Sequence, residues 1–235
     1  MCRNLTRASK PPSLASHNPS PPANGPVPRP PYPHLKPFGL KSPHIHLERD
    51  DHPMGRPKKF SREGVLEKAL PVFWKYGFAG TSLQQLEQAT GVNKSGLYSE
   101  FEDKEDLFLH SLLYYYEHRG ALRILTAEPK GYANIERFLR LGDPQDNGCV
   151  GCFSVNSIRE FPSLSERVRD VLAAYHHRLM PQIIENIDAE PHTLPAATIA
   201  TIVSVFFAGY CIERNLPELA ESDAVGAFMQ ALHLL

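Results

Sequence analysis

The sequence predicts an all-α protein, with an N-terminal three-helix head of the helix-turn-helix type and a C-terminal helical bundle. Apolar side chains recur at helical spacing from residue 65 to the end of the chain, and alternation with a period of two is almost absent. Two short helical patterns between residues 81 and 104 are joined by a tight turn at Gly91, which is the layout of a helix-turn-helix.

The first 53 residues differ in composition from the rest of the chain. They contain 13 of the 22 prolines and show no apolar periodicity. Such a segment buries too little apolar surface to offset its ordering entropy, so we expect a disordered, proline-rich extension. The predicted domains are this extension over residues 1–53, a head over 54–104 and a body over 105–235. Because Met54 opens the periodic part, translation starting at Met54 is an alternative.

The head is expected to hold three helices and to lead into a fourth. Ser82 and Gln85 form a capping box at the start of the second helix, and Gly91 suits its end. Pro71 is expected to kink the first helix, because its ring removes a backbone donor. The predicted limits are Ser61 to Gly77, Ser82 to Gly91, a third helix starting at Asn93 and a fourth starting at Asp103.

The body is predicted to contain five further helices, and one of them is apolar on nearly every side. The helix near Ile199 to Ile212 needs cover from the body or from a partner. The predicted ranges are Tyr132 to Leu141, Cys152 to Phe161, Ser163 to Asn186, Pro195 to Arg214 and Ser222 to Leu235.

Charge and cysteine content narrow the class of protein. Residues 54–104 hold eight Lys or Arg against six Asp or Glu, whereas residues 105–235 hold ten against seventeen. A basic front and an acidic back suit a nucleic-acid-binding head on a body with another partner. Four cysteines, no secretory signal and no uninterrupted apolar run of membrane-span length indicate a cytoplasmic protein with reduced thiols and no membrane contact.

The helix-turn-helix pattern assigns residues to an inner and an outer side. Leu83, Leu86 and Ala89 are expected to face the core of the head, as are Leu97 and Phe101. The outer residues near the groove are then Asn93, Lys94, Ser95 and Tyr98. Asn suits a bidentate contact to adenine, Lys suits guanine, and the serine and tyrosine hydroxyls suit a base or phosphate.

Three further features fit contact with DNA. Gly96 lacks a side chain where the backbone would approach the duplex. Lys104 lies at the start of the fourth helix, where its charge and free N–H groups favour a phosphate. The basic arm Gly55-Arg-Pro-Lys-Lys59 suits the minor groove or the DNA backbone. An ordinary helical hairpin is the alternative reading of the same spacing.

The segment from Gly77 to Leu107 closely resembles the DNA-binding head of the TetR/AcrR family. The matching positions are Gly77-Phe78, Thr81-Ser82, Gly91-Val92, Leu97-Tyr98, Phe101 and Lys104-Glu105-x-Leu107. Departures are Leu86-Glu87, where the family usually has Ile-Ala, and Pro71. With the resemblance, the candidate DNA-binding residues are Arg56, Lys58, Lys59, Thr81, Ser82, Gln84, Asn93, Lys94, Ser95, Gly96, Tyr98 and Lys104.

The resemblance also implies a mode of action. It implies a homodimer formed by two C-terminal helices, a palindromic double-stranded DNA operator, and a body pocket for a small effector whose binding releases the DNA. The stretch from Gly151 to Glu160 looks like a Gly-Cys-x-x-x-Asn-x-x-x-Glu signature of one branch of the family. With the fourth helix as the expected link between pocket and head, the candidate pocket residues are Leu112, Tyr116, Phe153, Asn156, Tyr175 and Phe206.

Other functions have weaker support in the sequence. Cys149-x-x-Cys152 suggests a thiol or metal sensor, but a lone pair lacks the second pair of a zinc site, and a packing role is favoured. No catalytic motif stands out, so no enzyme activity, cofactor or metal is predicted. A DNA-binding adaptor that senses nothing is the remaining alternative.

Overall fold

A computed structural model describes residues 60–144, 148–216 and 222–235. These residues form ten α-helices and two short 3-10 turns, and no strand occurs among them, so the predicted all-α class is confirmed. The predicted disorder of residues 1–53 lies outside the described residues, as do the candidate arm residues Arg56, Lys58 and Lys59. We call residues 60–104 the head and residues 105–235 the body.

The first helix, α1, runs from Arg62 to Gly80. The Ser61 side chain accepts a hydrogen bond from the amide of Gly64, as expected of an N-cap. The helix continues through Pro71, and its non-helical backbone angles lie instead at Gly77, with φ 73° and ψ 177°. The prediction placed the distortion at the wrong residue, because glycine adopts a positive φ at little cost and the chain turns there.

The helix-turn-helix follows the predicted caps closely. Helix α2 spans Leu83–Thr90, begins with the complete Ser82–Gln85 capping box and ends at Gly91, whose φ of 72° is left-handed. Helix α3 spans only Lys94–Tyr98 and is capped by Asn93. A short α3 suffices because Leu97 and Phe101 anchor it in the core, and both are almost fully buried.

Helix α4, Lys104–Arg119, starts at its predicted cap Asp103 and packs along α1. The rings of Phe73 and Phe108 meet edge to face with centroids 5.1 Å apart. Trp74 continues the contact through an edge-on packing against Tyr115, at 5.1 Å. The cores of head and body therefore join along this pair of helices.

The body adds six α-helices, of which α5 was missing from the prediction. The predicted helix from Ser163 starts later, because residues 161–163 form a 3-10 turn and Ser165 provides the cap. The observed ranges are α5 Ala121–Leu125, α6 Tyr132–Leu139, α7 Phe153–Ile158, α8 Glu166–Asp188, α9 Ala196–Glu213 and α10 Ala224–Leu232.

A buried pair of asparagines ties α6 to α8. The Asn134 amide donates to Oδ1 of Asn186 at 2.8 Å, and the Asn186 amide donates to the carbonyl of Leu125 at 2.8 Å. The same Oδ1 accepts the amide of Gly131 at 3.0 Å. Because buried polar groups are costly when unpaired, these bonds fix the register of the helices around the body core.

Helix α9 is long and apolar enough, by length and composition alone, to cross a membrane. The core helix of a soluble protein passes the same test. One side of α9, with Ile199, Val203 and Phe207, is buried in the body. The opposite side exposes Ile202, Val205 and Ile212, and Val205 is 68% exposed. Single exposed apolar residues are common, and a row of them on one helix is a candidate interaction surface.

Candidate nucleic-acid interface and body cavity

The outer side of α3 carries four exposed residues, namely Asn93, Lys94, Ser95 and Tyr98. The Lys94 ammonium lies 5.8 Å from the centre of the Tyr98 ring, so these two side chains share one patch. The backbone amide of Lys94 donates to the carboxylate of Glu87 on α2. A rigid helix with a buried inner side thus presents hydroxyl, amide and ammonium groups to solvent.

Asn93 caps α3 in addition to being a predicted contact to DNA. Its Oδ1 atom accepts the amide of Gly96 at 2.9 Å and so caps α3. A bidentate contact to adenine needs both the oxygen and the NH₂ group of an asparagine. The cap uses one of the two lone pairs of this oxygen, so the second lone pair and the NH₂ group stay available, and the bidentate contact stays a prediction.

Packing inside the head explains why position 96 is a glycine. A Cβ atom at this position would lie 2.6 Å from Cγ1 of Val92 and 3.2 Å from Cε1 of Phe60. Real contacts of this kind are almost never so short. The core of the head therefore requires glycine at this position, and the close approach to DNA stays a prediction.

The structure reverses the predicted exposure of two residues. Thr81, a candidate DNA contact, is 2% exposed, and its hydroxyl donates to the Gly77 carbonyl at 2.6 Å. Ala89, predicted to face the core, is exposed. Ser82 and Gln84 are exposed near the start of α2, where Ser82 also serves as the cap.

Lys104 is engaged inside the protein. Its ammonium donates to the carbonyls of Phe78 at 2.9 Å and Thr81 at 3.0 Å, and it lies 4.4 Å from the centre of the Phe78 ring. These contacts close the C-terminal end of α1 onto the start of α4. The structure thus gives Lys104 a bracing role that differs from the predicted phosphate contact.

Arg62 supports the inner side of the recognition segment and was missed by the sequence reasoning. Its guanidinium donates to the carbonyl of Glu100 and lies 4.1 Å from the centre of the Phe101 ring. An arginine three residues beyond the basic arm gave no signal of its own, because its partners lie 38 residues or more away.

The body contains a cavity of about 140 Å³ between α4 and α9, and its lining includes the exposed residue Ile158. Of the six predicted pocket residues only Tyr175 lines it. The lining residues are Tyr115, Ala121, Phe138, Leu141, Cys152, Ser154, Val155, Ile158, Tyr175, His176, Leu179, Met180, Ile183, Ser204, Phe207 and Ala208.

The other predicted pocket residues lie behind the cavity wall or elsewhere. Leu112 and Phe153 are fully buried in the core. Tyr116 stacks on Tyr175 at 3.6 Å and hydrogen-bonds to Ser154. Phe206 stacks on Phe228 of α10 at 3.9 Å. The predicted residues lie on helices that line the cavity, but side-chain direction within a helix depends on packing that one sequence does not specify.

Asn156 braces the loop before α7. Its amide donates to the carbonyl of Val150 at 3.1 Å. The Val150 carbonyl also accepts the indole N–H of Trp74 at 3.1 Å. This shared carbonyl joins the signature segment of the body to α1 of the head.

The cysteines lie in the interior. Cys149, Cys152 and Cys211 are all buried. Burial raises the pKa of the Cys149 and Cys152 thiols, and it raises that of Cys211 well above its ordinary range. The Cys152 Sγ atom lies 3.2 Å from the Tyr115 hydroxyl. No cluster of three His, Cys, Asp or Glu side chains suited to a metal occurs in the described part of the chain.

A second link between body and head runs through Glu160, which follows α7. Its carboxylate accepts the amides of Phe78 at 2.8 Å and Ala79 at 2.7 Å. These amides lie just after the break in α1 at Gly77 and just before the cap of α2. The body and the head are therefore connected in two ways, through α4 and through Glu160. The Glu160 connection begins at the cavity, because Val155 and Ile158 of α7 line the cavity wall.

Comparison with known proteins gives a consistent set of relatives. Residues 65–110 match the family model described as "Bacterial regulatory proteins, tetR family". The transcriptional repressor ComR of Escherichia coli K12 is 33% identical over 128 residues, which are 52% of this chain and 61% of ComR. The uncharacterized transcriptional regulator YezE of Bacillus subtilis 168 is 33% identical over 140 residues, 55% of this chain and 68% of YezE. The chain thus spans less than two thirds of the first of these relatives.

The fold has solved counterparts. The TetR family regulator CifR, solved as a cysteine mutant with 26-bp double-strand operator DNA, shares a TM-score of 0.62 at 23% identity. The alignment covers 76% of this chain and 98% of that one. At this identity the likeness shows the fold alone. The relatives and structural neighbours are transcriptional regulators rather than enzymes, in agreement with the absence of a catalytic motif.

Proposed function

Because this chain belongs to the tetR family of bacterial regulatory proteins and is a DNA-binding transcriptional regulator, we propose that it is a ligand-released repressor. In this proposal it acts in the cytoplasm as a homodimer on a palindromic operator. The observation that carries the proposal is the exposed patch of Asn93, Lys94, Ser95 and Tyr98 on a helix whose inner side is buried.

The patch has the chemistry needed for the major groove. Lys94 offers an ammonium for guanine O6 or N7, and the hydroxyls of Ser95 and Tyr98 suit phosphates or base edges. The NH₂ group of Asn93 adds two N–H donors. Structures of the relative CifR contain double-strand operator DNA, which supports the same kind of partner here.

Homodimer formation is supported by the exposed side of α9. A row of Ile202, Val205 and Ile212 favours burial against a second copy, since most soluble oligomers are symmetric and use the same surface on both subunits. Two heads joined in this way enter successive major grooves on one side of the DNA, roughly 34–36 Å apart.

Release requires that cavity and head be linked, and Glu160 supplies a direct route. A ligand that displaces α7 moves the segment ending in Glu160, whose carboxylate holds the backbone at Phe78 and Ala79. That backbone leads straight into α2. A ligand shifts DNA affinity only when it binds the two arrangements with different affinity, so the proposal requires that α7 differ between them.

The alternative of a thiol sensor has less support. Reactive thiols need a lowered pKa and access to solvent, whereas Cys149 and Cys152 are buried and their pKa values are raised.

The proposal is tested by selecting duplexes from a random DNA pool with the full chain. We expect enrichment of one palindromic sequence, bound by two copies of the chain. A pool without enrichment after several rounds, at salt low enough for non-specific binding, would contradict sequence-specific operator recognition.

A further inference from the structure

The body cavity is apolar and lacks a charged wall. None of its sixteen lining residues, all in the described part of the body, is Asp, Glu, Lys or Arg. His176 is the one imidazole among them, and burial together with neighbouring His177 lowers its pKa, which favours the neutral form at neutral pH. A carboxylate or ammonium ligand would find no counter-charge, and burying an unpaired charge is costly.

The volume limits the size of an occupant. An engineered apolar cavity of about 150 Å³ in a protein core accommodates benzene. The cavity here has about 140 Å³, so it fits a molecule of about one six-membered ring.

The walls favour an aromatic ring over an aliphatic one. Tyr115, Phe138, Tyr175 and Phe207 all line the cavity, and the rings of Phe138 and Phe207 lie 4.3 Å apart between centroids. Aromatic rings gain additional attraction from offset or edge-to-face contact, beyond the burial of their area. The sulfur of Met180, a further lining residue, also makes favourable contacts with ring edges.

The polar groups at the wall restrict the substituents of the ring. The Tyr115 hydroxyl is paired with Cys152 at 3.2 Å, and the Ser154 hydroxyl with Tyr116 at 2.8 Å. Ser204 and His176 add a hydroxyl and an imidazole on α9 and α8. These groups suit one small hydrogen-bonding substituent, such as a hydroxyl.

We propose that this cavity binds an uncharged molecule with a single aromatic ring and at most one small polar substituent. The inference rests on the proposed function only in making this molecule the effector. Binding itself is a separate property and is measured without DNA.

The protein carries its own reporter for such binding. Trp74 is the one tryptophan of the chain, and its ring packs edge-on against Tyr115, a wall residue, at 5.1 Å. It also stacks with Phe153 at 5.9 Å. A ligand that contacts Tyr115 changes the surroundings of the indole, so tryptophan fluorescence follows occupancy.

The experiment titrates the full chain with phenol, and separately with benzoate, which has the same ring but carries a negative charge. We expect a saturable change in Trp74 fluorescence and a higher thermal midpoint with phenol, because a ligand of the folded state stabilises it. Benzoate is expected to bind at least tenfold more weakly. Equal binding of the two, or no saturable response to phenol, would overturn the proposal.

A filled cavity provides the second arm. Ala208→Leu places a larger side chain in the wall, and Thr201→Leu makes a similar change at an exposed position of the same helix. We expect the first variant to lose phenol binding at least tenfold and the second to retain it. Unchanged binding by a folded Ala208→Leu variant would place the site elsewhere. The wild-type comparison of phenol with benzoate does not depend on how either variant folds.

Operator release is measured in parallel on the selected duplex. If phenol binds but does not weaken operator affinity, the proposed ligand class is supported. The proposal that a ligand releases the operator is then contradicted. The failure of the inference and the failure of the proposed function are therefore distinguishable.

Discussion

A hydrogen bond of 2.7 Å joins the carboxylate of Glu160 to the amide of Ala79, two residues that are 81 positions apart in the chain. The other carboxylate oxygen accepts the amide of Phe78. A Cβ atom at Gly77, whose φ is 73°, would overlap this carboxylate. The glycine break in α1 and the carboxylate from the body therefore form one unit immediately before the helix-turn-helix.

We predict that Glu160→Ala weakens operator binding about tenfold, equivalent to ~1.4 kcal/mol. The variant leaves two amides without their acceptor and frees the backbone that leads into α2. Affinity for a selected operator and the thermal midpoint are the two measurements. A hydrogen bond contributes ~0.5–1.5 kcal/mol net, so a modest loss of stability is expected as well.

Glu190→Ala is the matched control for Glu160→Ala. Glu190 accepts the amide of Tyr132 at 3.1 Å and lies close to Gly131, but these contacts are within the body. We expect this variant to lose stability while keeping operator affinity. Equal operator affinity in both variants would show that Glu160 supports folding only.

For Lys104→Ala we predict a lower thermal midpoint and an unchanged salt dependence of operator binding. The substitution removes two hydrogen bonds from the ammonium and its contact with the Phe78 ring, which together amount to ~1.5–3 kcal/mol. Lys75→Ala, at an exposed position of α1, is the control. An unchanged midpoint with a salt slope reduced by about one unit would restore the phosphate contact predicted from the sequence.

The thiols are predicted to be unreactive in the native protein. Burial raises the pKa of Cys149, Cys152 and Cys211, so they stay protonated at pH 8, and protonated thiols are poor nucleophiles. In a Cys2→Ser background, a thiol-reactive dye should label the native protein slowly and all three thiols after denaturation. Rapid native labelling would revive the thiol-sensor alternative.

Helix α9 is predicted to carry the dimer contact. Val205→Asp places a charge on the exposed apolar side and is expected to give a species of 26.3 kDa in light scattering, whereas the wild type gives twice that mass. Gln88→Asp introduces the same charge at an exposed position of the head and is expected to leave the dimer intact. A dimer in both variants would place the interface on another surface.

The features that could be predicted from the sequence depend on residues three or four positions apart in the chain. The caps at Ser61, Ser82, Asn93 and Asp103 were correct, since each bonds to an amide three residues on. The burial of Leu97 and Phe101 followed from their spacing of four, and this too was correct.

What the sequence missed depends on distant partners. Lys104 looked like a phosphate ligand because its two carbonyl acceptors lie 26 and 23 residues away. Tyr116 looked like a pocket residue, but its ring is held flat against Tyr175 of another helix. Glu160 was visible only as the last position of a resemblance, because nothing local reveals that the amides it accepts lie in the head, about 80 residues earlier in the chain.

The most direct measurement of the central claim is the affinity of Lys94→Ala for the selected operator and for single-base variants of it. If Lys94 contacts a base from the exposed side of α3, the substitution costs ~1–3 kcal/mol and removes discrimination at one position of each half-site. The thermal midpoint is expected to be unchanged, because the Lys94 side chain is exposed. Wild-type affinity and wild-type discrimination in this variant would contradict DNA reading by this patch.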